Sequence, residues 1–426
     1  MNVLVLGAAV SGVSAAHLAS RLGHEVAIYD RSSKATIALR DKGYRVHSGT
    51  WVDHLLNGID LVVASPGFPE GSDPIQAALR SGIEIISELE FGTRQLTVPY
   101  VAITGTNGKT TVTNAISDML NASGVSAVAA GNIGTPICDL GEAPASIVVL
   151  EASSFQLRFI DRFRPLAAGI INVAADHLDW HGTVAAYAAA KARIFENMDR
   201  NDTLAFDTDD DGATRLAEQA PCRIVPVSGR AVPAGGVGRN GTGLALGGQV
   251  LPLSTTDPSW VVDLAIAAVV ASAAGATAEG IASVAEAFAA GPHRRRTVST
   301  KDGVTWVDDS KATNPHAARA AAAAYPSVVL LAGGRNKDLD LSTIAPDTVR
   351  HVVAFGEAAE SVAGSVDRPV TVVGGLAEAV EEAERLALPG DTVLLAPGCA
   401  SFDEFDSYAA RGERFADLVQ GVGAAK

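Results

Sequence analysis

Residues Gly105-Thr106-Asn107-Gly108-Lys109-Thr110-Thr111 put two glycines, a lysine and hydroxyl side chains on one short stretch. That set suits a chain of phosphates. The glycines let backbone N–H groups turn toward an anion, Lys109 adds a point charge, and Thr110 offers a hydroxyl to Mg²⁺. The general phosphate loop has four residues between its glycines. Here Ile103 stands where the first glycine would be, so the loop is a variant. Glu151 directly follows the apolar run SIVVL, which sets an acid at a strand's carboxyl end, where it can hold Mg²⁺ directly or through water. Asn172, Asp176, His177, Asp179 and His181 crowd the stretch after AAGIINV, too densely for a simple loop. Lys191, among the alanines of YAAAKARIFEN, reads from its neighbours alone as a solvated helix lysine. His293-Arg294-Arg295-Arg296 is either a basic turn or a group that reaches phosphates, with equal weight on sequence alone.

These residues need a scaffold that presents strand ends, and the pattern supplies one. VPYVAIT before the loop reads as a strand and TTVTNAISDMLNAS after it as a helix, the setting a phosphate loop requires. Strands alternate with helices along the chain, so the fold class is α/β with parallel sheets. A length of 426 residues exceeds one ordinary core. Three α/β domains are expected, over 1–97, 98–291 and 292–426. The first opens with an apolar strand that does not read as a leader peptide, then Gly7-Ala8-Ala9-Val10-Ser11-Gly12, and EVAIYD ending at Asp30. This differs from the dinucleotide fingerprint at its middle glycine, where the Ala9 Cβ opposes close approach of a pyrophosphate. A Rossmann-like domain for another ligand is expected, with the turn Ser65-Pro66-Gly67 at a second strand end. In the third domain Asp309, Lys311 and Thr313, then Lys337, then Ser401 again follow strands. Cys399 reads as structural, because no base is identifiable near it.

A net charge of −15 argues against nucleic acid or an anionic membrane as the main partner, yet leaves small anionic ligands open. Cys138, Cys222 and Cys399 are far apart and show no metal spacing, the pattern of a reduced cytoplasmic protein. No apolar run reaches the roughly 18 residues of a membrane span.

TGTNGKTT, EASSFQL, NVAADHLDWHG with YAAAKARIFEN, PHR and DDSKATN occur in that order, and together they resemble the Mur ligase superfamily over essentially the whole chain. The resemblance implies a Rossmann-like N-terminal domain, a central P-loop ATPase-like domain and a C-terminal Rossmann-like domain. It implies an ATP-dependent amide ligase of cytoplasmic peptidoglycan precursor synthesis, with two Mg²⁺ ions and a carbamylated Lys191. Lys109, Thr110 and Glu151 would serve ATP and the first ion, with Gly105 to Thr111 around the phosphates; His177 and Lys191 would serve the second ion. Arg294, Asp309 and Lys311 would reach the nucleotide and the reacting phosphate. Asn132, Ser153 and Gln156 would contact a muramoyl substrate, and Ser11, Asp30, Arg31, Ser65, Pro66 and Gly67 its UDP part. Thr313, Lys337, Ser401 and Tyr408 would receive the incoming amino acid. The motifs KATN, GGRNK and CASFDEF favour D-glutamate as the incoming amino acid; the resemblance implies UDP-N-acetylmuramoyl-L-alanine as the acceptor, and a monomer is expected. L-glutamate, L-alanine or diaminopimelate, or a non-catalytic nucleotide-binding protein on this fold, are the alternatives. Two departures stand out. The family's His-Asn-x-x-Asn run, with an Asn near adenine, is Ser259-Trp260-Val261-Val262-Asp263 here, which leaves Trp260 to stack on a base. Arg296 stands where the family often has Glu or Gln.

Overall fold

The computed structural model describes residues 1–421. They form two compact units: residues 1–173 with 180–288, and 174–179 with the chain from Ala289 onward. The first unit holds two sheets and the second unit one.

The first sheet is all parallel, in the spatial order Arg45–Ser48, Glu25–Asp30, Asn2–Leu6, Leu61–Ala64, Glu84–Ser87. Its middle strand is apolar on both faces because both are covered. Val3 and Val5 enter one core, with the helix Val10–Arg21, while Leu4 and Leu6 enter another. Strand order reverses on either side of Asn2–Leu6, so the turns after it and after Leu61–Ala64 flank one crevice, where open α/β sheets bind ligands. The two outer glycines of the first turn have steric reasons. A Cβ at Gly12 would lie 2.0 Å from the Gly7 carbonyl oxygen, and one at Gly7 2.7 Å from Ser65 Oγ.

The central sheet runs Gln249–Pro252, Gly243–Leu246, Val237–Asn240, Arg223–Ser228, Thr203–Asp207, Ala167–Ile170, Tyr100–Thr104, Ile147–Glu151, Ala127–Gly131. Its glycine-rich end is an antiparallel meander. The nearly featureless apolar helix Pro258–Ala273 is buried along most of its length against this sheet. Glu90 ties the two sheets of the first unit together. Its buried carboxylate accepts the backbone N–H groups of Asp161, Arg162 and Phe163 and pairs with Arg94 at 2.7 Å.

In the second unit the order is Arg296–Lys301, Val304–Asp308, Thr392–Gly398, Val328–Gly333, Val349–Phe355, Val370–Val372. The expectation of parallel sheets is corrected at this edge and at the glycine-rich end of the central sheet. Arg296–Lys301 is an antiparallel edge strand. Asp302 and Gly303 both have positive φ, +53° and +78°, the two-residue hairpin turn whose twist matches paired strands.

Candidate functional site

In the first unit, the phosphate-type loop leaves Tyr100–Thr104 and enters the helix Lys109–Ala122. Gly108 caps that helix at φ +84°, and a Cβ there would meet Asp263 Oδ1 at 2.7 Å. Asn172, at the end of the neighbouring strand, braces the loop. Its carbonyl accepts Thr106 N–H at 2.9 Å, and its side-chain oxygen accepts Asn107 N–H at 2.8 Å. Lys109 Nζ donates to the Gly105 carbonyl at 2.8 Å and the Thr106 carbonyl at 3.0 Å.

Lys191 departs from the reading of a solvated helix residue. It is 1 % exposed, donates to the same Gly105 carbonyl at 2.7 Å, and stands 4.4 Å above the Tyr187 ring. The alanines around it are what let its helix pack closely enough to bury it. Two ammonium groups thus converge on one loop carbonyl, a concentration of positive charge suited to a polyanion.

Thr110 Oγ1 donates to Glu151 Oε2 at 2.9 Å, and Asn132 Nδ2 donates to Glu151 Oε1 at 2.8 Å. One hydrogen-bonded chain therefore joins the loop, the acid and the segment after Ala127–Gly131. Hydroxyl and carboxylate oxygens are hard donors. A single carboxylate beside a phosphate loop fits Mg²⁺, which takes one or two carboxylates and fills its shell with phosphate and water. Among the described residues no cluster of three His, Cys, Asp or Glu side chains forms a metal cage. Next along, Ser153 caps a short helix in a reciprocal box. Gln156 Oε1 accepts Ser153 N–H and Oγ–H at 3.0 and 2.8 Å, which sends the Gln156 amide nitrogen the other way.

Ser11, Asp30, Arg31, Ser65, Pro66 and Gly67 meet at one cleft of ≈ 370 Å³, with Gly7, Ala9, Val10 and Phe68. Asp30 also holds the glycine turn, accepting Ala8 N–H and Ser32 N–H at 2.8 Å each. Helix Val10–Arg21 opens onto this cleft with no side-chain cap, leaving first-turn N–H groups for an anion. Trp180, a residue sequence reasoning left without a role, donates Nε1–H to the Pro66 carbonyl at 3.0 Å and packs 5.0 Å from Phe155.

The polar stretch after Ala167–Ile170 does not act as one cluster. Asn172 braces the loop and His181 bonds Ser154 Oγ at 3.0 Å, both in the first unit. Asp176 and His177 belong to the second unit, and Asp179 is exposed. There Asp176 is buried, 3.6 Å from Lys337 Nζ and 3.3 Å from Asn314 Nδ2, and His177 takes φ +53° beside it. Lys311 Nζ stands 5.1 Å over the Tyr408 ring, and Thr313 N–H bonds the Lys311 carbonyl. Asp309 accepts Arg295 N–H at 3.2 Å, and burial pushes its carboxyl up to about 7. Arg294 is half-buried in the turn that precedes the edge strand, and His293 pairs with Asp308 at 2.7 Å. Ser401 is buried. Beneath it lies Arg411, 0 % exposed, which bonds Ser310 Oγ and O and the carbonyls of Cys399 and Ala400. Nothing in the pattern YAARGERF marks that arginine as interior. Cys399 is buried, with its thiol pushed up to about 12, as suits a structural cysteine. Trp260 packs against Phe288, ring centroids 5.6 Å apart.

A loop of phosphate-binding type, an acid tethered to it and strand-end turns on three sheets are the features of a nucleotide-using α/β protein, and the chain belongs to the Mur ligase family. Residues 1–87 match the Mur ligase MurD-like N-terminal domain, 103–232 the Mur ligase middle domain, and 293–399 the Mur ligase glutamate ligase domain. The chain is 41 % identical to UDP-N-acetylmuramoylalanine--D-glutamate ligase of Frankia casuarinae, over 99 % of this chain and 94 % of that one. It is 37 % identical to the enzyme of that name from Desulfosudis oleivorans, over 98 % and 96 %. Among solved structures, MurF from Acinetobacter baumannii shares the fold at a TM-score of 0.63 and 17 % identity, over 93 % of this chain and 90 % of that one. A bifunctional folylpolyglutamate synthase/dihydrofolate synthase, with Mn, AMPPNP and L-glutamate bound, aligns at a TM-score of 0.54 and 17 % identity, over 78 % and 93 %.

Proposed function

We infer that this chain is the ATP-dependent ligase that joins D-glutamate to UDP-N-acetylmuramoyl-L-alanine in cytoplasmic peptidoglycan precursor synthesis. The observation that carries this reading is the chain Thr110–Glu151–Asn132, which couples the phosphate loop to the segment that resemblance gives to the muramoyl substrate. The choice of amino acid rests on the relatives of that name, which align over nearly their full length. The alanyl carboxylate takes the γ-phosphoryl group of ATP, giving an acyl phosphate. The D-glutamate amine attacks the carbonyl carbon, and phosphate leaves as the amide forms.

Loop N–H groups and Lys109 hold the phosphates and offset charge as two anions meet. Thr110 and Glu151 would hold one Mg²⁺, which supplies charge neutralisation between phosphate and carboxylate. A carbamylated Lys191 would serve a second ion, since carbamylation turns a buried ammonium into a carboxylate-like ligand. Ser11, Asp30, Arg31 and the turn Ser65 to Gly67 take the UDP part. Asn132, Ser153 and Gln156 orient the muramoyl–alanyl end. Arg294, Asp309 and Lys311 serve the nucleotide and reacting phosphate, while Thr313, Lys337, Ser401 and Tyr408 receive D-glutamate. Trp260, engaged with Phe288, stacks on adenine with one face. The protein acts as a monomer.

Phosphate release tests the reading. It is expected only with ATP, UDP-N-acetylmuramoyl-L-alanine and D-glutamate together. Release with L-alanine or diaminopimelate and none with D-glutamate would overturn it.

A further inference from the structure

Trp180 and His181 are consecutive aromatic residues of the first unit that the reaction above leaves unused, and their side chains reach toward two different sheets. Trp180 Nε1–H donates at 3.0 Å to the carbonyl of Pro66, in the turn that follows Leu61–Ala64 of the first sheet. The indole packs against the core of that sheet, with its centroid 6.4 Å from that of Phe159. His181 Nε2 lies 3.0 Å from Ser154 Oγ, in the segment that follows Ile147–Glu151 of the central sheet. The two rings touch each other, with centroids 4.4 Å apart. Phe155 closes the group, 5.0 Å from Trp180 and stacked on His181 at 5.6 Å with the planes 8° apart.

The two ends of this aromatic group fall inside the two surfaces assigned above to one ligand. Pro66 is the middle residue of the turn that lines the 370 Å³ cleft. Ser154 stands between Ser153 and Gln156, which are locked to each other by their reciprocal cap. A ligand long enough to span both surfaces gains from the second only when their separation is fixed beforehand; otherwise the free end must search, and its effective concentration falls. Glu90 joins the same two sheets through residues 161–163, whereas Trp180 and His181 join the strand-end segments themselves. We propose that Trp180 and His181 are positioning residues that fix the separation between the UDP-binding turn and the muramoyl–alanyl-binding segment, so that the sugar nucleotide engages both at once. This rests on the reading that those two segments bind that ligand.

The test measures Kd by calorimetry for UDP-N-acetylmuramoyl-L-alanine and for UDP alone, with melting curves to establish folding. Trp180→Phe and His181→Phe each keep a ring and remove the polar bond. Each is expected to raise Kd for the sugar nucleotide about five- to tenfold while Kd for UDP stays within about twofold, because UDP uses one end only. The double variant matches the more affected single variant, since the two bonds act in series and either break frees the ends. Phe159→Leu loosens the same aromatic group but keeps both bonds; it lowers the melting temperature and leaves the ratio of the two Kd values unchanged. If UDP weakens as much as the sugar nucleotide, each residue shapes only its own segment and the proposal fails. It fails equally if neither Kd moves, if the two single effects multiply, or if Phe159→Leu shifts the ratio as far. If Arg31→Ala, in the cleft itself, leaves both Kd values unchanged, the reading of the cleft fails and the proposal with it.

Discussion

Gly108→Ala tests whether the phosphate loop is shaped by close approach. The native φ of +84° is left-handed, a conformation that costs an L-residue about 1–2 kcal/mol. The new Cβ would lie 2.7 Å from Asp263 Oδ1 and 3.2 Å from two Ile171 atoms, and both side chains are buried. Something must move. Swinging the Asp263 carboxylate aside sets the lower end of an overpacking cost of about 1–3 kcal/mol, and displacing Ile171 as well sets the upper end. The sum is about 2–5 kcal/mol, which for a unit of this size lowers the melting temperature by roughly 3–8 °C. The strain falls on the loop N–H groups proposed to face phosphate, so KM for ATP should rise at least about tenfold. Gly124→Ala is the control. Gly124 has φ +80° at the far end of the same helix, with nothing within 4 Å of a built Cβ. It bears only the conformational cost, about 1–2 kcal/mol, and should leave the ATP KM alone. Scanning calorimetry and phosphate-release kinetics on both variants decide the matter. Equal melting losses and an unchanged ATP KM in both would refute the argument.

Lys191→Ala is expected to lose at least about 10²-fold in kcat. Millimolar acetate or formate should restore part of that loss by supplying a carboxylate, and full activity without rescue would return Lys191 to a packing role. In the second unit, Arg411→Lys keeps the charge but offers one nitrogen where four bonds now end. A loss of about 2–4 kcal/mol on denaturation is expected, with a rise in the D-glutamate KM larger than that for the sugar nucleotide. Asp207 is held near a pKa of about 7 by burial, with Asp209 and Asp210 adding to it, against an ordinary 3.8. A raised acid binds its proton more tightly when folded, so its cost is absent below about pH 4, grows to about pH 7 and is constant above. Asp207→Asn, whose carbonyl can still accept Asp209 N–H, should therefore gain stability at pH 8 and none at pH 4. The ceiling is about 4 kcal/mol, and equal melting shifts at both pH values would contradict the assignment.

What the sequence disclosed and what it hid follow one division. Central strands were legible because burial on both faces writes continuous apolar runs such as VVLLAG and IVVLE. The turns at their carboxyl ends were legible too, since glycine, lysine and threonine there have few packing reasons to occur together. Edge strands hid. Arg45–Ser48 and Arg296–Lys301 carry charged residues and have no fully buried position, and Glu84–Ser87 has only two, so none shows the continuous apolar run of a central strand. Buried ionic residues hid most completely. Lys191, Arg411, Glu88 and Glu90 each look like ordinary surface charge in a helical stretch, and each is within 1 % of complete burial. Their partners are carbonyls, N–H groups or side chains contributed by segments distant in sequence, from Gly105 for Lys191 to Ser310 for Arg411. No local period encodes such a partner, because it exists only once two strand ends have been brought side by side.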